Sequence, residues 1–335
     1  MRYERQVHGA SLTVHGHDSQ VLRGNPLGDP ARRDSPLLVP PRGGQGLPLV
    51  VVLVGYTGFG HKVLNRPSLW AENLPERIAR ATAEGRIPPA VYLWPSCETR
   101  LGGSQYLNSA GTGRYQDFLA GELVPAVEAA HGCGGPGRRV VAGKSSGGYG
   151  AVTLAMRLPG YFSAAASHAG DMGFDVSHVR GFVDALNCWR QHGGPGAFLE
   201  KLPRLPLGHQ EHAGVELIAM ASCYSPNPAA PLGVDLPVDP DTGEMRDEIF
   251  ARWLAHDPLR MVERSEHADA LRGLRALYLD AGERDEFALQ WGLRRFLKQL
   301  DALQVPHRSE FFDGGHFDID DRYLISLPFL LSALD

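Results

Sequence analysis

Short apolar runs alternate with segments of helical period along most of the chain. Residues 49–54 form a valine-rich run that is apolar at consecutive positions, and similar runs follow at 90–94, 139–142 and 274–279. Such runs are typical of strands that are buried on both faces of a parallel sheet. The segments between them predict helices at 69–84, 115–130, 148–158, 286–303 and 320–334. This alternation predicts an α/β protein with a mostly parallel central sheet and helices on both faces.

Two regions depart from this rhythm. Residues 1–45 are broken by many glycines and prolines, which predicts edge strands and a loop packed on the main body. Residues 171–265 are rich in Gly, Pro and Asp, and helical period returns only at 179–190 and 247–254. We interpret this second region as an insertion into a single domain of residues 1–335. A lid over the active site and a surface elaboration without a catalytic role are equally consistent with its composition.

The strongest chemical signal follows the run at 139–142, where the chain reads Gly143-Lys144-Ser145-Ser146-Gly147 and then continues with helical period. A serine between a strand and a helix, with glycine two residues before and after it, is typical of a nucleophile held on a sharp turn. Ser146 is the weaker candidate because Lys144 stands where the turn needs glycine. The sequence therefore predicts Ser145 as a nucleophile, although a simple glycine-rich turn remains the alternative.

A serine nucleophile needs a base and an acid, and the chain offers both after the last strands. His316 follows the predicted edge strand 308–312 and two glycines, which favours it as the base over a solvated loop histidine. Asp285 stands just before a predicted helix and is the preferred acid, with a plain helix cap as its alternative. Asp171 is the second candidate for the acid and Glu283 the third.

Acyl transfer also needs two N–H groups to stabilise an oxyanion. We expect one from Ser146, the residue after the nucleophile, and the other from Tyr56 in the glycine-rich loop 55–61 after the first buried strand. An ordinary glycine loop is the alternative interpretation. The sequence GYTGFG in this loop is only weakly similar to a phosphate-binding loop, since it lacks the required spacing and the GK[ST] ending.

Composition narrows the function classes. The formal net charge is −5 with no block of basic residues, so neither nucleic acid nor an anionic membrane is an expected partner. No apolar run is long enough to span a bilayer, and the N-terminus lacks the apolar segment of a secretion signal. The expected location is the cytoplasm, with export of a processed form as the alternative. The spacing of the cysteines predicts free thiols rather than a zinc site, although two disulfides are possible in an exported form; they are Cys97, Cys133, Cys188 and Cys223.

With these residues in place, the chain resembles the putative-esterase superfamily of α/β hydrolases, which includes S-formylglutathione hydrolases, enterochelin esterases, feruloyl esterases and mycolyltransferases. Residues 143–151 look like that family's GxSxGGxGA element, and residues 102–109 with 113–118 and 122–125 look like the segment before it. Asp285 and His316 fall where the family has its acid and base, and Tyr56 matches its second oxyanion donor. The likeness covers about residues 45–170 and 270–335. It implies the α/β-hydrolase fold, but the insertion prevents any transfer of substrate class.

We therefore expect a serine esterase that acts on a small-molecule ester through an acyl-serine intermediate, without a metal or a cofactor. An acyltransferase or thioesterase would use the same three residues. A non-catalytic binding protein with a hydrolase fold is the third hypothesis. Its weakness is that every predicted catalytic position holds a competent residue.

Overall fold

The computed structural model describes residues 4–334. Its strands and helices follow the predicted alternation. The strands are β1 (Glu4–Val7), β2 (Ala10–Asp18), β3 (Arg32–Val39), β4 (Leu49–Leu53), β5 (Val91–Leu93), β6 (Glu98–Thr99), β7 (Gly102–Gly103), β8 (Asn108–Ser109), β9 (Gly113–Arg114), β10 (Arg139–Lys144), β11 (Ala164–His168), β12 (Ala276–Gly282) and β13 (Arg308–Phe312). The helices are α1 (Leu74–Ala83), α2 (Tyr115–Asp117), α3 (Val124–His131), α4 (Ser146–Arg157), α5 (Phe174–Ser177), α6 (Phe182–His192), α7 (Pro195–Lys201), α8 (His209–Tyr224), α9 (Asp247–Leu254), α10 (Pro258–Met261), α11 (Ser265–Arg272), α12 (Leu289–Ala302) and α13 (Tyr323–Ser332).

Within residues 4–334, nine strands form one sheet in the order β1–β2–β3–β5–β4–β10–β11–β12–β13. The six strands from β5 to β13 are parallel, whereas β1, β2 and β3 pair antiparallel at one edge. This is the α/β-hydrolase fold that the sequence predicted. The carboxyl ends of β4, β10, β11 and β12 meet at one edge of the sheet, where ligands bind in open α/β folds.

Helices cover both faces of the sheet, because alternate residues of each central strand are apolar on opposite sides. Val51 and Leu53 of β4 belong to the core shared with α3, α4 and α12. Val50 and Val52 belong to the core shared with α1 and α13. All four side chains are buried. Burial on both faces explains why this strand shows no polar alternation in the sequence.

The insertion has a hydrophobic core of its own. Trp189, Phe198, Ile218 and Trp253 are buried together and pack against Tyr149 of α4. The region contains helices α5 to α9, which is more helix than the sequence predicted. In particular, α8 was not anticipated. From Ala213 onward its residues are buried except Glu216, so the helix shows no apolar stripe with one polar face.

Several predicted helices begin later or are divided. Helix α1 begins at Leu74 rather than at 69, because Asn73 and Glu76 form a reciprocal capping box. Residues 115–130 contain a π-helical segment (Phe118–Leu123) between α2 and α3, next to Pro125, which has no N–H to donate. Helix α12 begins at Leu289 rather than at 286, after a turn at Asp285.

Two further observations concern the cysteines and the apolar character of the helices. All four cysteine side chains are buried and carry free thiols. In the part of the chain that the structure describes, no helix combines the length and the apolar character needed to cross a membrane.

Candidate active site

Ser145 lies on a strained turn between β10 and α4. Its φ of 58° and ψ of −128° are unusual for any residue other than glycine. A Cβ atom at Gly143 would lie 2.2 Å from the carbonyl oxygen of Gly147, and one at Gly147 would lie 2.1 Å from the carbonyl oxygen of Leu53. Both glycines are therefore required by close backbone packing, as the sequence spacing predicted. The turn lifts the Ser145 side chain out of the sheet and into a cavity.

The ring of His316 and the carboxylate of Asp285 are joined by a hydrogen bond. Nδ1 of His316 lies 2.8 Å from Oδ2 of Asp285, and the Oδ1 atom accepts the Phe287 N–H at 2.8 Å. Both side chains are buried. The backbone N–H of His316 donates to Glu286 at 2.6 Å, and the Phe287 ring packs edge-on against the imidazole at 4.7 Å. These contacts fix the ring orientation and leave Nε2 as the free ring nitrogen.

Ser145 and His316 line the same cavity. Among the hydrogen bonds of residues 4–334, none joins the Ser145 hydroxyl to the imidazole. In ligand-free structures such a bond is often long and shortens only when the substrate is bound. The structure therefore places Ser145 and His316 in the same cavity, but their side chains do not form the hydrogen bond through which the proton would be transferred.

The loop after β4 passes beside the nucleophile. A Cβ atom at Gly55 would lie 3.1 Å from Cβ of Ser145, which is tighter than most side-chain contacts, so glycine favours this close approach of the backbone. Two tyrosine hydroxyls hold the loop: Tyr56 donates to the Leu101 carbonyl at 2.7 Å, and Tyr106 donates to the Val54 carbonyl at 2.6 Å. The Tyr56 side chain therefore anchors the loop, and its backbone N–H remains for other use.

The backbone N–H groups of Tyr56 and Ser146 donate to no other group within residues 4–334. Ser146 is the first residue of α4, where an N–H has no partner inside the helix. Both residues line the cavity beside Ser145. Two unpaired N–H groups near a nucleophile are what an oxyanion would need.

The other candidate acids have different partners. Asp171 follows β11, and its Oδ2 lies 3.3 Å from the Ser146 hydroxyl. That hydroxyl also accepts a hydrogen bond from the Gln105 amide at 2.9 Å. Burial raises the pKa of Asp171 to about 6. Glu283 is half exposed and pairs with Arg294 at 2.5 Å. Of the three candidate acids, Asp285 is the one that is hydrogen-bonded to His316.

Asp280, which also lies in this acid-rich segment, has a structural environment. Its buried carboxylate accepts hydrogen bonds from Arg322 Nε at 2.7 Å and lies 2.7 Å from His168 Nδ1. The His168 Nε2 atom in turn lies 3.0 Å from the Ser326 hydroxyl. This network ties β11 and β12 to the start of α13.

The cavity has a volume of about 880 Å³ and extends from Ser145 to the insertion. Helix α8 and the segment after α5 contribute polar side chains that the sequence analysis did not identify; they are Ser177, His178, His212 and Glu216. His212 and Glu216 lie four residues apart on α8, one turn of helix. The sequence shows the spacing of these two residues, but its pattern did not predict the helix that contains them.

One cluster of possible metal ligands among the described residues lies away from this cavity. Ligand atoms of Cys188, His192 and Glu211 lie within 4.8 Å of one another between α6 and α8. The Glu211 carboxylate already accepts the Gly208 N–H at the start of α8. None of the three residues lines the cavity at Ser145, so the group does not contribute to the chemistry there.

Comparison with known proteins supports the assignment of the fold. A family model described as "Putative esterase" matches residues 38–318. A search of curated proteins found no match. Among solved structures, the chain is similar to a ferulic acid esterase with a TM-score of 0.63, at 16% identity over 97% of this chain and 98% of that one.

Two further structures are similar over nearly their whole lengths. A fluorophosphonate-binding serine hydrolase from Staphylococcus aureus has a TM-score of 0.60 at 14% identity, covering 96% of this chain and 98% of that one. An S-formylglutathione hydrolase from Agrobacterium tumefaciens has a TM-score of 0.57 at 15% identity, covering 99% of each. At these identities the likeness concerns the fold alone.

Proposed function

Since this chain belongs to the putative esterase family and is accordingly a carboxylic ester hydrolase, we propose that it cleaves its substrate through an acyl-serine intermediate formed on Ser145. The observation that carries this proposal is the strained turn at Ser145 in the same cavity as His316, together with the hydrogen bond that joins His316 to the buried Asp285. Strain at a residue between two irreplaceable glycines is costly and is retained mainly at functional sites.

The proposed reaction has two steps. The Ser145 hydroxyl oxygen attacks the ester carbonyl carbon while Nε2 of His316 takes its proton. The tetrahedral intermediate then collapses, and the imidazolium returns the proton to the leaving alcohol. Water attacks the acyl-serine in the same way and releases the acid. Asp285 accepts the Nδ1–H hydrogen bond throughout, which fixes the tautomer and stabilises the imidazolium.

The backbone N–H groups of Tyr56 and Ser146 are the proposed oxyanion donors. Their support is that both are unpaired and that the Gly55 backbone packs directly on Ser145. In this proposal the Tyr56 side chain has an indirect role, because its hydroxyl bond to Leu101 holds the donor loop. The other donor needs no side chain, because the Ser146 N–H belongs to the first residue of α4.

A fluorophosphonate probe tests the nucleophile. The wild type should be labelled on Ser145, and Ser145→Ala should not be labelled. Ser146→Ala is the matched control, because the proposed role of residue 146 needs only its N–H, and this variant should still be labelled. Equal labelling of Ser145→Ala and wild type would refute the assignment.

Thioester cleavage and acyl transfer to an alcohol would use the same residues, and the proposal commits to hydrolysis of an oxygen ester. Analysis of the products formed from p-nitrophenyl acetate in the presence of added alcohol separates the two outcomes. Free acetate as the main product supports hydrolysis, and an alkyl acetate would indicate transfer.

A further inference from the structure

The end of the cavity that faces the insertion is acidic and polar. We call Asp171, Ser177, His178, His212 and Glu216 the acidic lobe. The Glu216 carboxylate lies 3.9 Å from His178 Nδ1 and 3.6 Å from His212 Nδ1. The lobe begins beside the nucleophile, because Asp171 is bonded to Ser146.

Several groups in this lobe have no partner. Within residues 4–334, Nε2 of His178 and the hydroxyl of Ser177 are buried without a hydrogen bond. Among residues 4–334, the Glu216 carboxylate has no hydrogen-bond partner within 3.5 Å, and Asp171 accepts only the 3.3 Å bond from Ser146. The Glu216 side chain is 27% exposed and Asp171 is 9% exposed, and both line the cavity. Acceptor atoms that line a cavity and that no protein group uses need an explanation. A ligand that supplies hydrogen-bond donors is the simplest one.

The histidines do not neutralise the two carboxyl groups. Burial lowers the pKa of His178 to about 4, and burial also lowers the pKa of His212, so both rings are neutral near pH 7. Burial and the nearby Asp171 raise the pKa of Glu216 to about 8. The ionised form of both carboxyl groups is therefore disfavoured in the free protein, and a cationic ligand would stabilise it.

Two basic residues of the cavity, Arg180 and Lys144, are directed away from the lobe. No Lys or Arg nitrogen among the described residues lies within 4.0 Å of Asp171 or Glu216. Arg180 donates to the Glu286 carbonyl, and the Lys144 ammonium lies over the Phe317 ring at 5.8 Å. The protein thus supplies hydrogen-bond acceptors and negative charge in the lobe but no compensating cation.

We propose that the ester substrate carries a protonated amine that binds in the acidic lobe, between Asp171 and Glu216. This inference rests on the proposed function for the ester bond and adds the substrate class. An ammonium group offers three donors, which match the acceptor oxygens of the two carboxyl groups. Because the lobe adjoins Ser146, the amine lies only a short distance along the substrate from the scissile carbonyl.

Pairs of esters that differ only in the terminal group test the proposal. On the acyl side, p-nitrophenyl esters of glycine, β-alanine and 6-aminohexanoic acid are compared with those of propanoic, butanoic and heptanoic acid. On the alcohol side, 4-(aminomethyl)phenyl acetate is compared with 4-ethylphenyl acetate. At least one cationic ester should exceed its alkyl partner about 100-fold in kcat/KM, as expected for charge-assisted hydrogen bonds.

Glu216→Gln should lower this preference at least about tenfold, since the carboxyl group can ionise against a bound ammonium and the amide cannot. Glu200→Gln is the matched control: Glu200 is an exposed residue of α7 in the same insertion and should leave the preference unchanged. A preference that survives Glu216→Gln, or that is lost equally in Glu200→Gln, would overturn the assignment.

A third series carries a neutral donor, using the p-nitrophenyl esters of glycolic, 3-hydroxypropanoic and 6-hydroxyhexanoic acid. If these esters equal their ammonium counterparts, the lobe recognises hydroxyl groups and the cationic substrate is wrong. A wild type that prefers every alkyl ester would also overturn the inference.

Binding without catalysis separates this inference from the proposed mechanism. In Ser145→Ala, propylammonium chloride should raise the thermal midpoint, whereas sodium chloride at the same ionic strength and 1-propanol should not. This shift should disappear in the double variant Ser145→Ala/Glu216→Gln. If propylammonium shifts the midpoint but the wild type has no esterase activity, the mechanism is refuted and the amine site stands. If the wild type has esterase activity but the midpoint does not shift, the amine site is refuted and the mechanism stands.

Discussion

Replacing Gly147 with alanine tests whether close packing behind the nucleophile positions the active site. The added Cβ atom would lie 2.1 Å from the Leu53 carbonyl oxygen and 2.8 Å from that of Val54. Ordinary contacts begin at 3.4 Å, so the end of β4 and the start of α4 must separate by about 1 Å. Neither neighbour is a flexible side-chain end, and the backbone of β4 is held by β5 and β10 on both sides.

This displacement would act on both proposed oxyanion donors, since Val54 leads to Tyr56 and Gly147 follows Ser146. A shift of about 1 Å at a reacting group costs on the order of 100-fold in rate. Overpacking of this kind also costs about 1–3 kcal/mol in the free energy of unfolding. We therefore expect Gly147→Ala to lower kcat/KM for p-nitrophenyl acetate about 100-fold. Urea denaturation should show the loss of stability.

Gly121→Ala is the matched control for this experiment. Gly121 is exposed, and an added Cβ atom there would meet nothing within 4 Å. This variant should keep wild-type kcat/KM and equal or slightly exceed wild-type stability. Unchanged activity and stability in Gly147→Ala would refute the argument that the backbone contact with Leu53 positions the site.

The remaining predictions concern three carboxyl groups. Asp285→Asn should lower kcat for p-nitrophenyl acetate by at least about a thousandfold without a change in the urea midpoint, because it removes the acceptor that fixes the tautomer of His316. A comparable loss in Asp171→Asn, with little effect of Asp285→Asn, would assign the acid to Asp171. Asp280→Ala should instead lower the free energy of unfolding by about 1–3 kcal/mol, measured by urea denaturation. It removes the partner of His168 and one of the two carboxylates that pair with Arg322, the other being Glu310. A stable variant would refute the structural role. The pKa of Glu216 is raised to about 8, so its charge appears as pH rises from 7 to 9. The facing groups hold their charge in this range: His178 and His212 stay neutral, Asp171 is already ionised, and the pKa of Tyr56 lies well above it. The preference for the 6-aminohexanoic ester, whose alkyl ammonium stays charged over this range, should therefore rise with an inflection near pH 8 in the wild type. The pH–rate profiles of Glu216→Gln should lack this inflection.

The parts of the site that could be predicted are those in which local geometry restricts residue type. The turn at Ser145 needs glycine at 143 and 147 because backbone atoms approach there, and this leaves a recognisable spacing. The central strands could be predicted because burial on both faces removes polar positions over several consecutive residues. His316 and Asp285 could be placed because the strands before them end at the same edge of the sheet as β10.

The acidic lobe could not be predicted, because it depends on a helix that the sequence pattern conceals. Helix α8 is buried over most of its length, so its apolar residues do not form one stripe. His212 and Glu216 interrupt this apolar helix without marking a solvent-facing side. Only the packing of α8 over the cavity shows that these two residues line it. The insertion was equally consistent with a lid and with a surface elaboration for the same reason.

Two kinds of carboxyl group in this protein illustrate how a structural charge differs from a functional one. Asp280 is fully enclosed, and its charge is balanced by Arg322 and by the hydrogen bond with His168. Glu216 faces two neutral histidines, and no Lys or Arg nitrogen of residues 4–334 lies within 4.0 Å of Glu216 or Asp171. A fold gains nothing from desolvating a carboxyl group that it does not pair, because the cost of burial is then uncompensated. The compensating charge must come from a molecule that enters the cavity, and the ester itself is the molecule that reaches this position in every catalytic cycle.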